Sequence, residues 1–372
     1  MLLPSMALDL NLSNSQSGLI GTVNFIGYLG SVLLVAKLAK RFSARSLIFF
    51  SLLLVGFSML LISRAQSMTI ITLLYFCTGI GSGFANVMTM ALVLAWFVRE
   101  ESGKACGLVV GGSGLAILVS GQLIPLINRL YGAEGWRLNW LILALAVLFI
   151  ALVTLVLIRN NPQEVGLLPY SRKKRPSTSS HFPDPGIPPK PAIIFHLGFI
   201  YFCFGLTYVI YATFFVSTLV QEMSFSEAGA GFLWSWVGIL SLFSGPIFGT
   251  LSDKFGRRNS LAIVFAIQTV SYLLIAAKLA NLLFLSIFLF GISAWSIPSI
   301  MMAAVGDYVG PLKAAQVFGF ITFLFGIGQI SGPFLAGIMA DSLGSFSYSF
   351  LMSALFTTIA ICASLALRNP KK

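Results

Sequence analysis

The chain has 372 residues, 57% of them hydrophobic and only 9% charged, with a net charge of +12. Soluble domains carry roughly 25% charged residues, so a single water-soluble core is excluded. The bases fall in short segments between apolar blocks rather than on one polar surface, which excludes a nucleic-acid-binding domain.

From the N-terminus, Met1 to Asn14 lacks a basic n-region, so no cleavable signal peptide is expected. A membrane helix needs about 20 mostly apolar residues. Such blocks predict helices at residues 15–38, 46–63, 69–98, 104–130 and 138–158, then at 192–220, 227–252, 260–278, 282–307, 314–340 and 346–367. They are rich in glycine, which lets membrane helices approach closely. Cys77, Cys106, Cys203 and Cys362 each stand alone in an apolar block, at no spacing that suits a disulfide or metal. Between the fifth and sixth blocks lies a proline- and serine-rich linker, residues 159–191, with a basic cluster at Arg172–Arg175. Such a stretch cannot bury enough apolar surface to fold alone. It is read as joining two membrane bundles, residues 1–158 and 192–372, on the cytoplasmic side, with lipid or partner docking as a second reading of the cluster.

Charge tests the count. With alternating helices and the C-terminus inside, all of the 23 bases except Arg64, Arg129, Arg137 and Lys278 fall on one side. A wrong number of spans would scatter them.

The chain also repeats itself. LAKRFSARSL (Leu38–Leu47) overlays LSDKFGRRNS (Leu251–Ser260) at an offset of 213, with Ser13 meeting Ser226 and Gly18 meeting Gly231. TGIGSGFAN (Thr78–Asn86) overlays FGISAWSIP (Phe290–Pro298) at 212, and Gly121–Gln122 overlays Gly328–Gln329 at 207. Parallel halves related by an axis along the membrane normal are a known transporter plan. The charged loop follows the second helix of the later half but the first helix of the earlier one. The expected architecture is therefore all-α, five plus six transmembrane helices: twelve minus the first. A late-started reading frame is the favoured explanation, and a natural eleven-helix protein the alternative.

GTLSDKFGRRNSL (Gly249–Leu261) resembles the loop motif G-x-L-x-D-[RK]-x-G-R-[RK]-x-x-L of the major facilitator superfamily, at the position between the second and third helices of a half. NPQEVGLLPY (Asn161–Tyr170) is similar to the same segment in oxalate/formate and monocarboxylate-type members. The resemblance implies a transporter whose Asp253, Gly256, Arg257 and Arg258 gate one face. Asp253 would face the N-terminus of the helix beginning near Gly103, where the dipole favours an anion. The bland reading is a positive-inside loop turning at Gly256. The first copy departs from the motif, with Lys40 in the acid's place, so the lock is expected to be asymmetric. Tyr75 stands four residues before Gly79, where the family's fourth helix carries arginine, which puts arginine-based proton coupling in doubt.

The resemblance also implies a cavity lined by the first and fourth helices of each half. Candidates are Asn86 and Thr89, then Tyr201, Tyr208 and Tyr211 (with Phe204 and Gly205 on one helix face), then Trp295, Ser296 and Ser299, with Pro298 weakening its helix. Against this, Tyr201 and Trp234 are open to reading as interface-belt residues. Asn24 and Asn86 are open to reading as bridges between helices. No Asp, Glu, Lys or Arg falls in the middle third of any block, so a buried ion site or carboxylate relay is not evident. His196 lies close to a helix end.

The expected function is alternating-access transport of a small organic solute, a monocarboxylate first. The alternatives are an exporter of lipophilic compounds and a non-transporting sensor or scaffold. No nucleophile–base or metal-ligand set suggests an enzyme, and no cofactor is expected. The expected partners are the solute, the bilayer and, as candidate coupling ion, a proton. A monomer is expected in the cell membrane, the inner one in a Gram-negative source.

Overall fold

The computed structural model describes residues 1–97, 99–170, 191–309 and 311–367. A short α1 (Leu3–Asp9) precedes α2 (Asn14–Leu38), α3 (Ala44–Ile62), α4 (Met68–Trp96), α5 (Arg99–Tyr131) and α6 (Gly135–Leu157). Then follow α7 (Pro191–Gln221), α8 (Glu227–Phe255), α9 (Arg257–Ala276), α10 (Leu283–Ser293), α11 (Ser296–Val309), α12 (Pro311–Leu343) and α13 (Ser347–Ala366). Among the described residues, eleven stretches are long and apolar enough to cross a membrane, with α10 and α11 forming one of them. This is a multi-pass membrane protein with five such stretches before residue 159 and six after residue 190. The cluster Arg172–Arg175 lies outside the described residues.

Local chemistry sets the helix ends. Ser13 and Ser226 each accept a bond from the backbone N–H three residues on, from Gln16 and Gly229, and so cap the orphan donors that open α2 and α8. Gly256 turns the chain from α8 to α9 at a φ of 82°, a left-handed conformation that disfavours side chains. Pro298 offers no N–H, so the Ala294 carbonyl has no helical donor. The chain breaks there, at Ala294–Trp295, between α10 and α11.

The repeat survives in three dimensions. Asn14 and Glu227, then Ala44 and Arg257, open matching helices 213 residues apart, and Gly135 and Ser347 open another pair 212 apart. The offset of 207 at Gly121–Gln122 is not found. Gly121 corresponds to Pro333, because the helices keep their register and small-residue pairs recur along them. The strongest evidence is a pair of crossed hydrogen bonds. The Thr22 hydroxyl (α2) donates to the Ile330 carbonyl (α12) at 2.8 Å, and the Ser235 hydroxyl (α8) donates to the Leu118 carbonyl (α5) at 3.2 Å. Thr22 plus 213 is Ser235, and Leu118 plus 212 is Ile330. Each bond is the other's image, and each joins an earlier helix to a later one. Two seams therefore connect the parts of the chain, α2 on α12 and α5 on α8.

Burial orders the remaining helices. In α7, 67% of the most apolar window is covered by protein, against 22% in α6, the most apolar helix. Lipid tails are as apolar as leucine and satisfy the face of α6 that its neighbours α3 and α5 leave uncovered. Tyr201, Phe204, Tyr208 and Tyr211 place α7 at the centre.

The charged loops gather at two ends. At the basic end, the Arg45 N–H bonds to the Asn160 side chain, the Trp96 indole to the Arg159 carbonyl, and the Tyr170 N–H to the Trp96 carbonyl. The entry to the linker is thus tied down by its neighbours, although its composition does not predict it. At the opposite end, Arg137 pairs with Asp9 at 3.2 Å and Lys278 with Glu222 at 2.8 Å.

Candidate functional site

The two seams are closed on one side of the molecule and parted on the other. Gly231, Ser235, Gly238, Leu242, Gly245 and Gly249 recur at helical spacing and form one stripe along α8. A Cβ on Gly231 would strike the Gly121 carbonyl and Pro125, and one on Gly238 would strike the Gly114 carbonyl. Gly245 and Gly249, toward the basic end, meet nothing within 4 Å among the described residues. The α2–α12 seam behaves alike. Gly18 abuts the Pro333 carbonyl, whereas Gly30 and Gly319 face open space.

Carboxylates seal the opposite end. Asp341, ending α12, accepts the backbone N–H groups of Asn14 at 2.9 Å and Ser15 at 2.8 Å, along with the Ser15 hydroxyl. These are the orphan donors of α2's first turn, where the helix dipole favours an anion. At the other seam, Glu227 accepts from Ser5 at 2.6 Å and Asn128 at 2.7 Å.

Where the seams diverge lies a cavity of about 250 Å3. Its walls are Phe25 on α2, Ile117 on α5, Tyr208, Val209, Ala212 and Thr213 on α7, Trp234 and Val237 on α8, and Phe290, Ala294 and Trp295 around the α10–α11 break. A second hollow of about 300 Å3, nearer the opposite end, shares Ala212, Thr213 and Trp234 with it. Tyr208 stacks on Phe325 and Phe204 and meets the Trp295 ring edge-on at 5.8 Å. The Gln329 amide donates to the Tyr208 hydroxyl oxygen at 2.6 Å. One turn from Phe25 toward the basic end, the Tyr28 hydroxyl oxygen accepts from Asn86 at 2.7 Å. The Trp295 indole N–H is buried without a partner.

The sequence-derived candidates separate accordingly. Tyr208 and Trp295 line the cavity. Asn86 reaches Tyr28, bridging α4 and α2. Thr89, Ser296 and Ser299 turn their hydroxyls back onto Ala85, Ser293 and Ser296. Tyr201 is buried against Phe325, with ring centroids 4.5 Å apart, and Trp234 points inward, so neither sits in an interfacial belt. Tyr211 lies fully buried against Phe290 and Ser286, away from the cavity. Three residues beyond Tyr208 fall about 60° short of a full turn, which carries Tyr211 off that face. Phe25, Tyr28, Thr213 and Gln329 were missed. The aromatic pair at i, i+3 on α2 was the available signal, but attention to the first and fourth helices of each half passed over the second.

At the basic end, Arg257 binds Asp253 at 2.6 Å, Asp307 at 2.9 Å and the Ser252 hydroxyl at 2.8 Å. Among the described residues Asp253 has Arg257 as its partner; the side chains of residues 99–104, at the start of α5, lie outside the described residues. Gly256 provides the turn, and Arg258 lines a wide polar depression with Asp307 and Tyr308.

Comparison with known proteins accords with this geometry. The family model described as "Uncharacterised MFS-type transporter YbfB" matches residues 1–365. The chain is similar to the hexuronate transporter of Bacillus subtilis (23% identity, covering 96% of this chain and 86% of the relative). It is also similar to a probable nitrate transporter, NarT, of Staphylococcus epidermidis (24%, 100% and 92%) and to human monocarboxylate transporter 2 (23%, 89% and 74%). Among solved structures, a bacterial homologue of the lysosomal transporter Spinster, in an inward-facing, unoccupied conformation, overlays with a TM-score of 0.78 at 14% identity, covering 98% of this chain and 91% of that one.

Proposed function

We propose that this chain, which belongs to the MFS-type transporter family of YbfB, carries a small organic anion, a monocarboxylate first, by alternating access. That it is a membrane transporter of small solutes follows from the family. The anion is supported by three relatives named for hexuronate, nitrate and monocarboxylate. Alternating access is supported by one observation: the α8 stripe meets α5 at Gly231 and Gly238 and, among the described residues, meets nothing at Gly245 and Gly249.

In this reading residues 1–158 and 192–372 rock as two bodies about the cavity. The structure is the state open at the basic end, which the positive-inside rule assigns to the cytoplasm. Asp341 and Glu227 hold the opposite end shut. Arg257 stays with Asp253 and Asp307 until the basic end closes. Such exposed pairs contribute roughly 0.2–1 kcal/mol each, weak enough to exchange partners within a transport cycle.

Proteoliposomes test the reading. Labelled short-chain monocarboxylates should accumulate against buffer controls, and spin labels on Gly30 and Gly319 should approach during turnover. Flux confined to lipophilic cations or neutral compounds would favour the exporter, and absence of all flux from folded protein would favour the sensor.

A further inference from the structure

We propose that the second hollow, of about 300 Å3, recognises a hydroxyl group on the solute, with Ser17, Tyr75 and Thr213 as the residues that tell a hydroxylated solute from its deoxy analogue. The inference rests on the transport reading above and adds a substrate class to it: small hydroxylated compounds.

The first observation is which hydroxyls are left free. Inside a helix, a serine or threonine hydroxyl readily bonds back to a carbonyl of its own helix. Thr207 and Thr218 on α7 do so, to Cys203 and Phe214 at 2.8 Å, and Ser31 on α2 does so, to Tyr28 at 2.7 Å. Thr213 and Ser17, on the same two helices, do not, and the Tyr75 hydroxyl on α4 has no hydrogen-bond partner either. None of these three oxygens is sealed from water, as the Trp295 nitrogen is. All three side chains line the hollow, together with Trp140 and Trp234. The Tyr75 ring is held edge-on against Trp140, with centroids 5.4 Å apart, which fixes where its hydroxyl lies. The second observation comes from the repeat. At offsets of 213 and 212, Ser17 corresponds to Ala230 and Tyr75 to Ile287, and both of those are fully buried. The later half packs without a hydroxyl at the places where the earlier half opens one to the hollow, so packing does not demand them.

The chemistry of the set selects the group it binds. A hydroxyl gives one proton and accepts at its oxygen, so three of them engage a solute hydroxyl in both directions. No charged side chain lines the hollow, so a carboxylate or ammonium seated there would lose its hydration without an opposite charge to replace it. The volume holds roughly ten heavy atoms at about 30 Å3 each, which suits a short hydroxylated chain. Ala212, Thr213 and Trp234 also wall the apolar cavity where the seams diverge. A solute seated hydroxyl first therefore lays its carbon body toward Phe25 and Ile117 and keeps any charged group on the side of the parted seams, in water. A site that hydrogen-bonds a solute hydroxyl leaves its own polar groups unpaired when an analogue lacks it, and rejects that analogue.

Calorimetric titration of the full chain in lipid nanodiscs decides the matter. The probes form two pairs that differ in hydroxyls: 2,3-dihydroxypropanoate with propanoate, and glycerol with propan-1-ol. In at least one pair the hydroxylated member should bind about tenfold or more tightly. Tyr75→Phe removes one hydroxyl and keeps the ring against Trp140. It should lower that preference about fivefold, the loss of one hydrogen bond, with the deoxy member bound as before, whereas a merely structural role would weaken both members alike. Thr213→Val keeps the shape of the side chain and should act in the same way, so it carries the comparison if Tyr75→Phe fails to fold. Equal binding within both pairs overturns the site, as does failure of all four probes to bind saturably, or an unchanged preference in folded Tyr75→Phe and Thr213→Val. A preference in the neutral pair, with no binding of either acid, supports the site and overturns the anion reading. Flux of both acids at equal affinity overturns the site and leaves the transport reading standing. A hydroxyl preference with no flux of any solute supports the site and overturns transport.

Discussion

At the opposite end, the seams bring backbone against backbone, and carboxylates hold the helix ends together. At the basic end, Gly245 and Gly249 on α8, Gly30 on α2 and Gly319 on α12 meet nothing within 4 Å among the described residues. The α8 stripe runs unbroken from Gly231 to Gly249, yet among the described residues it touches α5 from Gly231 to Leu242 and not at Gly245 or Gly249. The difference teaches that these small residues form a reusable surface, since a glycine face closes tightly and parts without leaving long side chains to repack.

Breaking the closed side should have the largest effect. Gly231→Leu drives a side chain into Gly121 and Pro125, so transport should vanish and stability fall by about 1–3 kcal/mol, read by thermal unfolding in nanodiscs. Next is the open side. Gly249→Leu meets nothing here, so unfolding should stay within about 0.5 kcal/mol of wild type and solute should still bind. Turnover should fall more than tenfold, because the basic end can no longer close. Wild-type turnover would show that the stripe is not reused.

Smaller effects sharpen the contrast. Asp341→Asn keeps an acceptor for Asn14 and Ser15 but removes the charge that favours a helix N-terminus, about 0.3–1 kcal/mol. The opposite end should open up to about fivefold more often, seen as faster thiol labelling of Ser17→Cys, a buried position, with the native cysteines replaced. Asp253→Asn should have the smallest effect on this state, because Asp253 is exposed and Asp307 still holds Arg257. Turnover should slow two- to threefold with affinity unchanged. Normal turnover would remove Asp253 from the mechanism.

Much of the fold was legible because membrane helices announce themselves by length and polarity. Predicted and observed boundaries agree to within a few residues, apart from the short α1, which was not expected, the start of α5, at Arg99 rather than Lys104, and the break in the α10–α11 span. The site was less legible. Tyr208 and Trp295 were found through residue type and spacing. Tyr211 has the same chemistry but sits on a different face, and Tyr28 shows its place only once α2 is set beside α4 and α7.

By itself the sequence determined the number of spans, the end at which the bases gather, the internal repeat and the absence of a charged residue in the middle of any apolar block, all of which follow from composition along one dimension. Tertiary structure decided which end is shut, which hydroxyl proton is left to offer, and which aromatic faces the gap. Those properties depend on how two helices meet, and the pressed Gly231 and the open Gly249 are the same residue on the same stripe.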